Sequence, residues 1–228
     1  ANASLGVLDG SGNVRTVELS GFTGDGTVGI SIAAGTARDK AANLAPAAGP
    51  SQTFTVDTTP PSISISAPSV ASTQNGPVSY PVNYAGQSTV SLSAGNVILN
   101  RTGTANGTVS VAGAGSVWIV TLAAISGDGT LGISLAAGTA ADFVGNSAPA
   151  AGPSATFGVD HTPPAIAIGP IAGDDVLNAA ESSASLTISG TTSGAENGRP
   201  VSIGLNGKTY AGAVKGNAWS VLVPSADL

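Results

Sequence analysis

The chain has 228 residues, of which 42% are hydrophobic and 9% are charged, and its formal net charge is −6. This balance argues against intrinsic disorder and against partners that attract basic surfaces, namely nucleic acid and anionic membranes. The sequence has no cysteine, which excludes disulfides and thiolate metal sites. It also has no run of 18 apolar residues, so we expect no membrane insertion.

The sequence contains a long internal repeat. Residues 24–61 return at 127–164 with 28 of 38 positions identical and no gap. The period, measured from Asp57 to Asp160, is 103 residues, which suits a small domain rather than a solenoid coil. Each copy ends in Val-Asp-X-Thr-Pro-Pro, and two successive prolines cannot join a sheet ladder. The motif therefore predicts a strand that runs into a stiff interdomain joint.

Residues 1–57 are predicted to be the C-terminal part of one repeat, whose front part we expect to lie outside this sequence. Alternating apolar and polar residues bounded by Gly, Asn or Pro predict its strands at Val14–Leu19, Thr27–Ile32 and Gln52–Val56. Two Gly-Asp-Gly segments, 24–26 here and 127–129 in the second copy, are most simply interpreted as turns.

Residues 58–160 are predicted to form a complete repeat. Its predicted strands are Ser62–Ser66, Val78–Tyr84, Thr89–Leu92, Val97–Leu99, Thr108–Val111, Val117–Leu122, Leu131–Leu135 and Ala155–Val159. Seven or eight short strands in about 100 residues are typical of an Ig-like β-sandwich. We therefore expect an all-β fold of tandem Ig-like β-sandwich domains joined end to end.

Residues 161–228 match neither copy and predict an incomplete Ig-like domain of a different subtype. Its predicted strands are Ala165–Ile168, Ala184–Ser189, Pro200–Leu205, Thr209–Val214 and Ala218–Val223. Asn206-Gly207 predicts a tight hairpin turn, because glycine tolerates a positive φ, and the segment 215–218 predicts a second hairpin.

Several of these motifs resemble the tandem Ig-like repeats of large bacterial cell-surface and RTX-type biofilm adhesins. They are the Val-Asp-X-Thr-Pro-Pro joints, the loop Asp142-Phe-Val-Gly-Asn146, and the third domain's Gly173-Asp-Asp-Val-Leu-Asn178 with Ala218-Trp-Ser-Val221. The resemblance implies a stalk module, stiffened by Ca²⁺ near its joints, on the bacterial surface or otherwise extracellular. The partners it implies are neighbouring repeats of the same polypeptide, with any host-surface or biofilm-matrix ligand bound by a domain outside this sequence. In the first copy, 39–43 lacks the glycine found at Gly145, which leaves the shape of that loop open.

Two groups of oxygen ligands are candidate calcium sites, since Ca²⁺ takes six to eight oxygens from carboxylates, carbonyls and amides. The first joins the linker residue Asp57 with Asp142 and Asn146, because the loop 140–153 and the incoming linker are expected at the same end of the sandwich. Asp160 is the residue equivalent to Asp57 at the next joint. The second group is Asp174, Asp175, Asn178 and Glu181. The alternative for both is that these side chains only stabilise turns through hydrogen bonds to the backbone.

Three classes of function remain open. The favoured one is a structural stalk, because reach grows with the number of repeats whereas a catalytic site gains little from duplication. The second is a glycan-binding module, in which Trp118 or Trp219 would be exposed beside polar loops, although both lie in alternating strands and packing in a core is favoured. The third is an accessory repeat of a secreted glycan-degrading enzyme. His161 is the sole histidine and lies in a linker, so we expect no enzymatic activity from this chain.

Overall fold

A computed structural model describes residues 1–8 and 10–228, and it divides the chain into two compact units, Ala1–Asp160 and His161–Leu228. Both units are built from β-strands, and no α-helix occurs among the described residues. The predicted all-β sandwich fold is confirmed. The Ig-like subtype and the three domain boundaries stay predictions.

The first unit contains the strands β1 to β14. They are β1 (Asn2–Leu8), β2 (Thr16–Thr23), β3 (Gly26–Val28), β4 (Phe54–Val56), β5 (Ser62–Ile65), β6 (Ser72–Thr73), β7 (Val78–Ala85), β8 (Thr89–Val90), β9 (Val97–Arg101), β10 (Asn106–Ala114), β11 (Val117–Ser126), β12 (Gly129–Leu135), β13 (Ala140–Ala141) and β14 (Phe157–Val159). A 3₁₀ turn at Ala94–Asn96 precedes β9. The alternating pattern predicted most of these strands. It did not assign β6 and β13, which have two residues each, and it did not assign β1 although residues 3–7 alternate.

The complete repeat, residues 58–160, is a two-sheet sandwich. One sheet has the strand order β10-β11-β7-β5 and the other β6-β14-β12-β9, while β8 and β13 pair separately. The inward residues of both sheets form one apolar core. Its fully buried members include Val78, Tyr80, Val82, Val120, Leu122, Leu131, Ile133 and Phe157. Few of them are aromatic, as the composition predicted, so the core is filled mainly by branched aliphatic side chains.

Two tyrosines of β7 carry polar contacts across this core. The hydroxyl of Tyr80 donates to the carbonyls of Leu131 and Ala155, at 3.3 and 3.0 Å. The hydroxyl of Tyr84 lies 3.0 Å from the Oγ1 of Thr139, which is itself fully buried. Because a buried hydroxyl without a partner is costly, these bonds let the large rings fill the space between the sheets. Burial raises the pKa of both tyrosines, and a side-chain hydroxyl, that of Ser154 for Tyr80 and that of Thr139 for Tyr84, lowers it by less.

The first repeat, residues 1–57, has half of the same architecture. Strands β1 and β2 pair in the register of β10 and β11, with the same irregularity near the start of the first strand. Strands β3 and β4 likewise reproduce β12 and β14. The hairpin is one residue longer in the first repeat, so Asn2 corresponds to Asn106 and Val17 to Val120. Beyond β3 the repeat is less covered: Ile32 is 48% exposed, whereas its equivalent Leu135 is 1% exposed.

The second unit forms a smaller sandwich. Its strands are β15 (Ala165–Ile168), β16 (Leu186–Ser193), β17 (Pro200–Leu205), β18 (Lys208–Ala213) and β19 (Ala218–Val223). They form the sheets β15-β16-β19 and β17-β18 around Ile188, Val201, Trp219, Val221 and Val223. Short 3₁₀ turns occupy Glu181–Ser183 and Ser225–Asp227.

Both hairpin turns predicted in the second unit are confirmed. Asn206 and Gly207 have φ values of +49° and +76°, and they connect β17 to β18. Gly216 and Asn217 have φ values of +59° and +64° between the paired residues Lys215 and Ala218. Two successive positive φ angles are what a two-residue hairpin requires, because that geometry matches the twist of the flanking strands.

Within the described ranges, no helix is long and apolar enough to cross a membrane.

Equivalent core positions in the two repeats should respond differently to truncation. Ile133 is fully buried, so Ile133→Ala should lower the free energy of unfolding by about 2–5 kcal/mol through lost burial and a residual cavity. Its equivalent Ile30 is only partly buried, so Ile30→Ala should lower the free energy of unfolding by less, about 1 kcal/mol. Urea unfolding of the two variants beside the parent chain measures both values. Equal losses would contradict an open inner face in the first repeat.

Candidate functional site

The residues around the first Val-Asp-X-Thr-Pro-Pro segment form the candidate site. Asp142 heads the loop that follows β13 and is only 8% exposed. Its Oδ1 accepts the backbone N–H groups of Val144, Gly145 and Asn146 at 2.8–2.9 Å. Its Oδ2 accepts the side-chain amide of Asn146 at 2.7 Å. The carboxylate thus closes the loop on itself, which is the usual use of an aspartate at the start of a turn.

The first repeat forms the same loop without the glycine. Asp39 Oδ1 accepts the N–H groups of Ala41 and Asn43 at 2.9 Å, and its Oδ2 accepts the Asn43 side-chain amide at 3.0 Å. Ala42 takes a φ of +68° where Gly145 has +96°. The sequence left this shape open; the structure shows that an alanine is held in the left-handed region by the hydrogen bonds of Asp39.

Asn146 extends the loop to the neighbouring repeat. Its side-chain amide donates to the backbone carbonyl of Asp57 at 3.0 Å as well as to Asp142. Asp57 is the last residue of the first repeat, and its own Oδ1 accepts the N–H of Thr59 at 3.1 Å. The structure therefore brings together three of the predicted site residues, Asp57, Asp142 and Asn146. The bridge between them is an amide group, and Asp57 takes part through its main chain.

A second contact holds the same linker from the opposite side. The Asp25 carboxylate accepts the backbone N–H of Thr58 at 2.6 Å and its hydroxyl at 3.0 Å. It also accepts the hydroxyl of Thr59. Sequence reasoning missed this residue, because Gly-Asp-Gly was interpreted as a turn alone. The available signal was that both copies retain an aspartate there in a chain with few charges.

Hydrogen bonding lowers the pKa of two aspartates at this site, Asp25 and Asp142. For Asp25 the main cause is the hydroxyl of Thr59, followed by the N–H and hydroxyl of Thr58. For Asp142 burial raises the pKa, but the bonds from the Asn146 side chain and from the backbone outweigh it, so that the net pKa lies below the ordinary 3.8. Donors that stabilise the ionised form produce shifts in this direction. These carboxylates are therefore charged acceptors at neutral pH.

The second predicted group lies in the second unit, where each side chain caps its own loop. Asp174 Oδ1 accepts the N–H of Val176 at 3.0 Å, and Asp175 Oδ1 that of Ile171 at 2.9 Å. The remaining pair is reciprocal. Asn178 Oδ1 accepts the N–H of Glu181 at 3.1 Å, and Glu181 Oε2 accepts the N–H of Asn178 at 3.0 Å. These two reciprocal bonds follow the pattern of a capping box and lie at the entrance to the 3₁₀ turn that begins at Glu181.

Asp160, the last predicted ligand, directly follows β14. Its backbone N–H donates to the carbonyl of Thr73 at 3.3 Å.

The placed oxygens do not form a calcium cage. Among the described residues, no three Asp, Glu or His side chains converge on one point. At the joint, N–H donors surround both oxygens of Asp142, and Asn146 presents its nitrogen to Asp57. Calcium needs six to eight oxygens directed at one centre, so this donor set does not fit the ion as arranged. Calcium binding by these residues stays a prediction.

The two tryptophans pack against protein, as their strand positions predicted. Trp219 is 3% exposed, and its indole N–H donates to the carbonyl of Ala167 at 3.2 Å. Trp118 is half-buried against the core of the complete repeat, with its indole N–H 3.2 Å from the carbonyl of Gly115. A sugar-stacking platform needs an exposed aromatic face beside polar groups, and neither ring is placed in that way.

No model of a known protein family and no curated protein matches this chain. Among solved structures, the chain is similar to one described for a 1.5-MDa bacterial ice-binding adhesin, with 20% sequence identity and a TM-score of 0.41 over 84% of this chain. The chain spans 62% of the length of that structure. A likeness at this TM-score does not decide the function.

The equivalent loops make a matched pair for substitution. Ala42→Gly should raise the free energy of unfolding by about 1 kcal/mol, because glycine adopts the left-handed conformation without the steric cost paid by alanine. Gly145→Ala should lower it by a similar amount, since a Cβ there meets no atom within 4 Å and only the backbone conformation is strained. Thermal unfolding of both variants gives the two signs. Shifts in the same direction would contradict the shared loop geometry.

Stability should fall in acid as Asp142 loses its charge. A depressed pKa in the folded state means that the carboxylate stabilises the protein fully above its unfolded pKa, and that this contribution is lost as the pH falls through the lower, folded value. We therefore expect the ¹³C resonance of the Asp142 carboxyl to titrate below 3.8. Asp142→Asn should reduce the acid slope of the unfolding free energy. A titration midpoint at or above 3.8 would contradict the hydrogen-bonded geometry.

Proposed function

We propose that this chain is a stalk module of a bacterial surface adhesin, located outside the cell, which holds a distal binding domain away from the surface. The observation that carries the proposal is the linker between residues 57 and 61, which is held from both sides. Asp25 of the first repeat binds Thr58 and Thr59, while Asn146 of the complete repeat binds Asp57.

The end of the linker adds a third restraint. Pro61 is fully buried in the complete repeat, directly after the exposed residues 58–60. Its ring fixes one backbone angle and removes an N–H donor, so the chain enters the second sandwich in a restricted direction. A free linker of four or five residues would let two domains rotate independently. Contacts to both neighbours and a buried proline favour a joint of fixed direction, which is what a stalk needs to project its tip.

The role is structural rather than catalytic in this proposal. The charged groups of the site are taken up by hydrogen bonds that close loops and the linker, and both tryptophans are packed. No observation favours the glycan-binding alternative over the stalk. The repeat itself supports the stalk, because a chain of near-identical sandwiches gains length with each copy, whereas one binding site is already complete in a single copy.

Breaking the bridge should widen the distribution of angles between the two repeats. Asn146→Ala removes the contact to Asp57 together with the loop contact to Asp142. Asn43→Ala is the matched control, because Asn43 makes the equivalent loop contact to Asp39. The chain has no cysteine, so Ser11→Cys and Ser110→Cys can carry two spin labels for pulsed distance measurements. We expect a broader distance distribution for Asn146→Ala and an unchanged one for Asn43→Ala.

The same labelled chain tests the predicted calcium. If a cation also bridges the joint, chelator should broaden the parent distribution, and about 1 mM calcium, a typical extracellular level, should narrow it again. If neither chelator nor calcium changes the distance distribution of the parent chain, calcium binding at this joint is contradicted. The hydrogen-bonded linker is not contradicted by that result. Equal and narrow distributions for all variants would contradict the role of Asn146, and a broad distribution for the parent chain would contradict the stalk.

A further inference from the structure

The sandwich of residues 58–160, all of which the structure describes, has four strand edges that differ in how they are protected. Its two sheets end in β10 and β5 and in β6 and β9. An edge strand presents unpaired N–H and C=O groups, and proteins usually limit such edges with short strands, prolines or charges. β6 has two residues, β5 has four and directly follows two prolines, and β9 ends in Arg101. These three edges follow the usual pattern.

The fourth edge, β10, lacks these protections. It spans nine residues, Asn106–Ala114, without a charged residue or a proline. Its irregular pairing lies at its start, between Asn106 and Thr108. Among the described residues, β11 is the only strand that pairs with β10, and the nearby 3₁₀ turn at Ala94–Asn96 adds no strand to the sheet. A long, uncharged edge of this kind is a template for another strand.

The side chains of β10 let a second strand approach closely. On the outer face, Thr108, Ser110 and Ala112 are small and exposed. On the inner face, Val109 and Val111 pack against the core but remain partly exposed. A strand added to this edge covers what is left of the two valines and meets no bulky or charged group of β10. The edge therefore combines free backbone groups with apolar side chains whose burial is favourable.

The charge of this surface indicates the kind of partner. Residues 58–160 contain only four charged side chains, those of Arg101, Asp128, Asp142 and Asp160. None of them lies in the sheet β10-β11-β7-β5, whose four strands carry no charged residue. A partner recognised by charge therefore finds no complementary group on this sheet. A second copy of the same sheet meets it without repulsion between like charges, which otherwise keeps proteins apart.

β10 is also complementary to itself. In an antiparallel pair of two copies with a twofold axis at Ser110, the strand Asn106–Ala114 overlaps its copy over its whole length. Val109 then lies opposite Val111 of the other copy, on both sides of the axis. Cross-strand pairs of β-branched side chains stabilise such a ladder, and a twofold contact uses the same patch on both copies.

We propose that the complete repeat binds the complete repeat of a second copy of this chain, through antiparallel pairing of β10 with β10 centred on Ser110. The two four-stranded sheets then continue as one eight-stranded sheet. The contact is small, so it is weak between free chains and becomes effective where many chains are held side by side. Stalks on one surface provide that setting, which rests on the proposed function, whereas the pairing itself does not.

Sedimentation velocity of the 228-residue chain tests the pairing, at concentrations up to about 1 mM, the level reached by closely tethered chains. We expect the weight-average sedimentation coefficient to rise with concentration. Ser110→Lys places two lysines opposite each other and should weaken the association about fivefold. Ser64→Lys is the matched control, because it makes the same change on the outer face of the opposite edge strand, β5, and it should leave the association unchanged. Mixing Ser110→Lys with Ser110→Glu should restore it, because opposite charges then face each other.

Single cysteines test the register, since the chain has none of its own. Directly opposed residues of an antiparallel pair have Cα atoms about 4.5–5.5 Å apart, which suits a disulfide. Ser110→Cys should therefore give a disulfide-linked dimer on mild oxidation. Ala112→Cys alone should not, because Ala112 lies opposite Thr108 and its own copy is about 14 Å away along the strand. A mixture of Ala112→Cys and Thr108→Cys should form the linked dimer again.

Four outcomes would overturn the proposal. The parent chain stays monomeric over the whole range, the association survives Ser110→Lys, or the mixture of Ser110→Lys and Ser110→Glu does not restore it. The fourth is that Ala112→Cys forms a linked dimer as readily as Ser110→Cys. Thermal unfolding beside the parent chain checks that each variant is folded, as expected for exposed positions. These outcomes leave the stalk proposal untouched, because that proposal is tested through the angle between the two repeats.

Discussion

The structure of the first unit depends on how the short linker between its two repeats is hydrogen-bonded. Asp25 reaches Thr58 and Thr59 from one repeat, and Asn146 reaches Asp57 from the other. Proline gives the linker stiffness, but a stiff segment has no fixed direction until its neighbours hold it. The two side chains hold the linker from the two repeats, and Asn146 is itself fixed by its bond to Asp142. The joint therefore belongs to the folded repeats and is not a tether between them.

The loop that presents Asn146 is shaped by one carboxylate. Asp142 accepts four N–H donors, so its negative charge is compensated by the loop that it closes. The first repeat builds the same loop around Asp39 even though an alanine must take a positive φ there. A local hydrogen-bond set can thus impose a backbone conformation against a steric cost of about 1–2 kcal/mol. The loop is the element that both copies keep while its surroundings differ.

The two copies also show how much of the burial inside a sandwich depends on strand β7. With β7 in place, the inward positions of β11 and β12 are fully buried, and two tyrosine hydroxyls find partners across the core. In the first repeat the same strands, bulge and serine contacts form, but the inner face stays open. Local pairing of neighbouring strands is therefore sufficient for the local geometry, whereas burial needs a strand from elsewhere in the repeat.

The sequence alone determined the repeat, the all-β class, most strands of the complete repeat and both hairpin turns, because these depend on alternation and turn residues that are local. The sequence also predicted that Asp57, Asp142 and Asn146 lie at one joint. The reason was that the loop 140–153 and the incoming linker are expected at the same end of the sandwich. Only the tertiary structure decided how they meet, through an amide and a main-chain carbonyl, and revealed that Asp25 holds the linker. Whether an aspartate binds a cation, closes a turn or forms hydrogen bonds to a neighbouring segment depends on the direction of the N–H groups around it. Those directions are set by the packed fold and not by residue spacing.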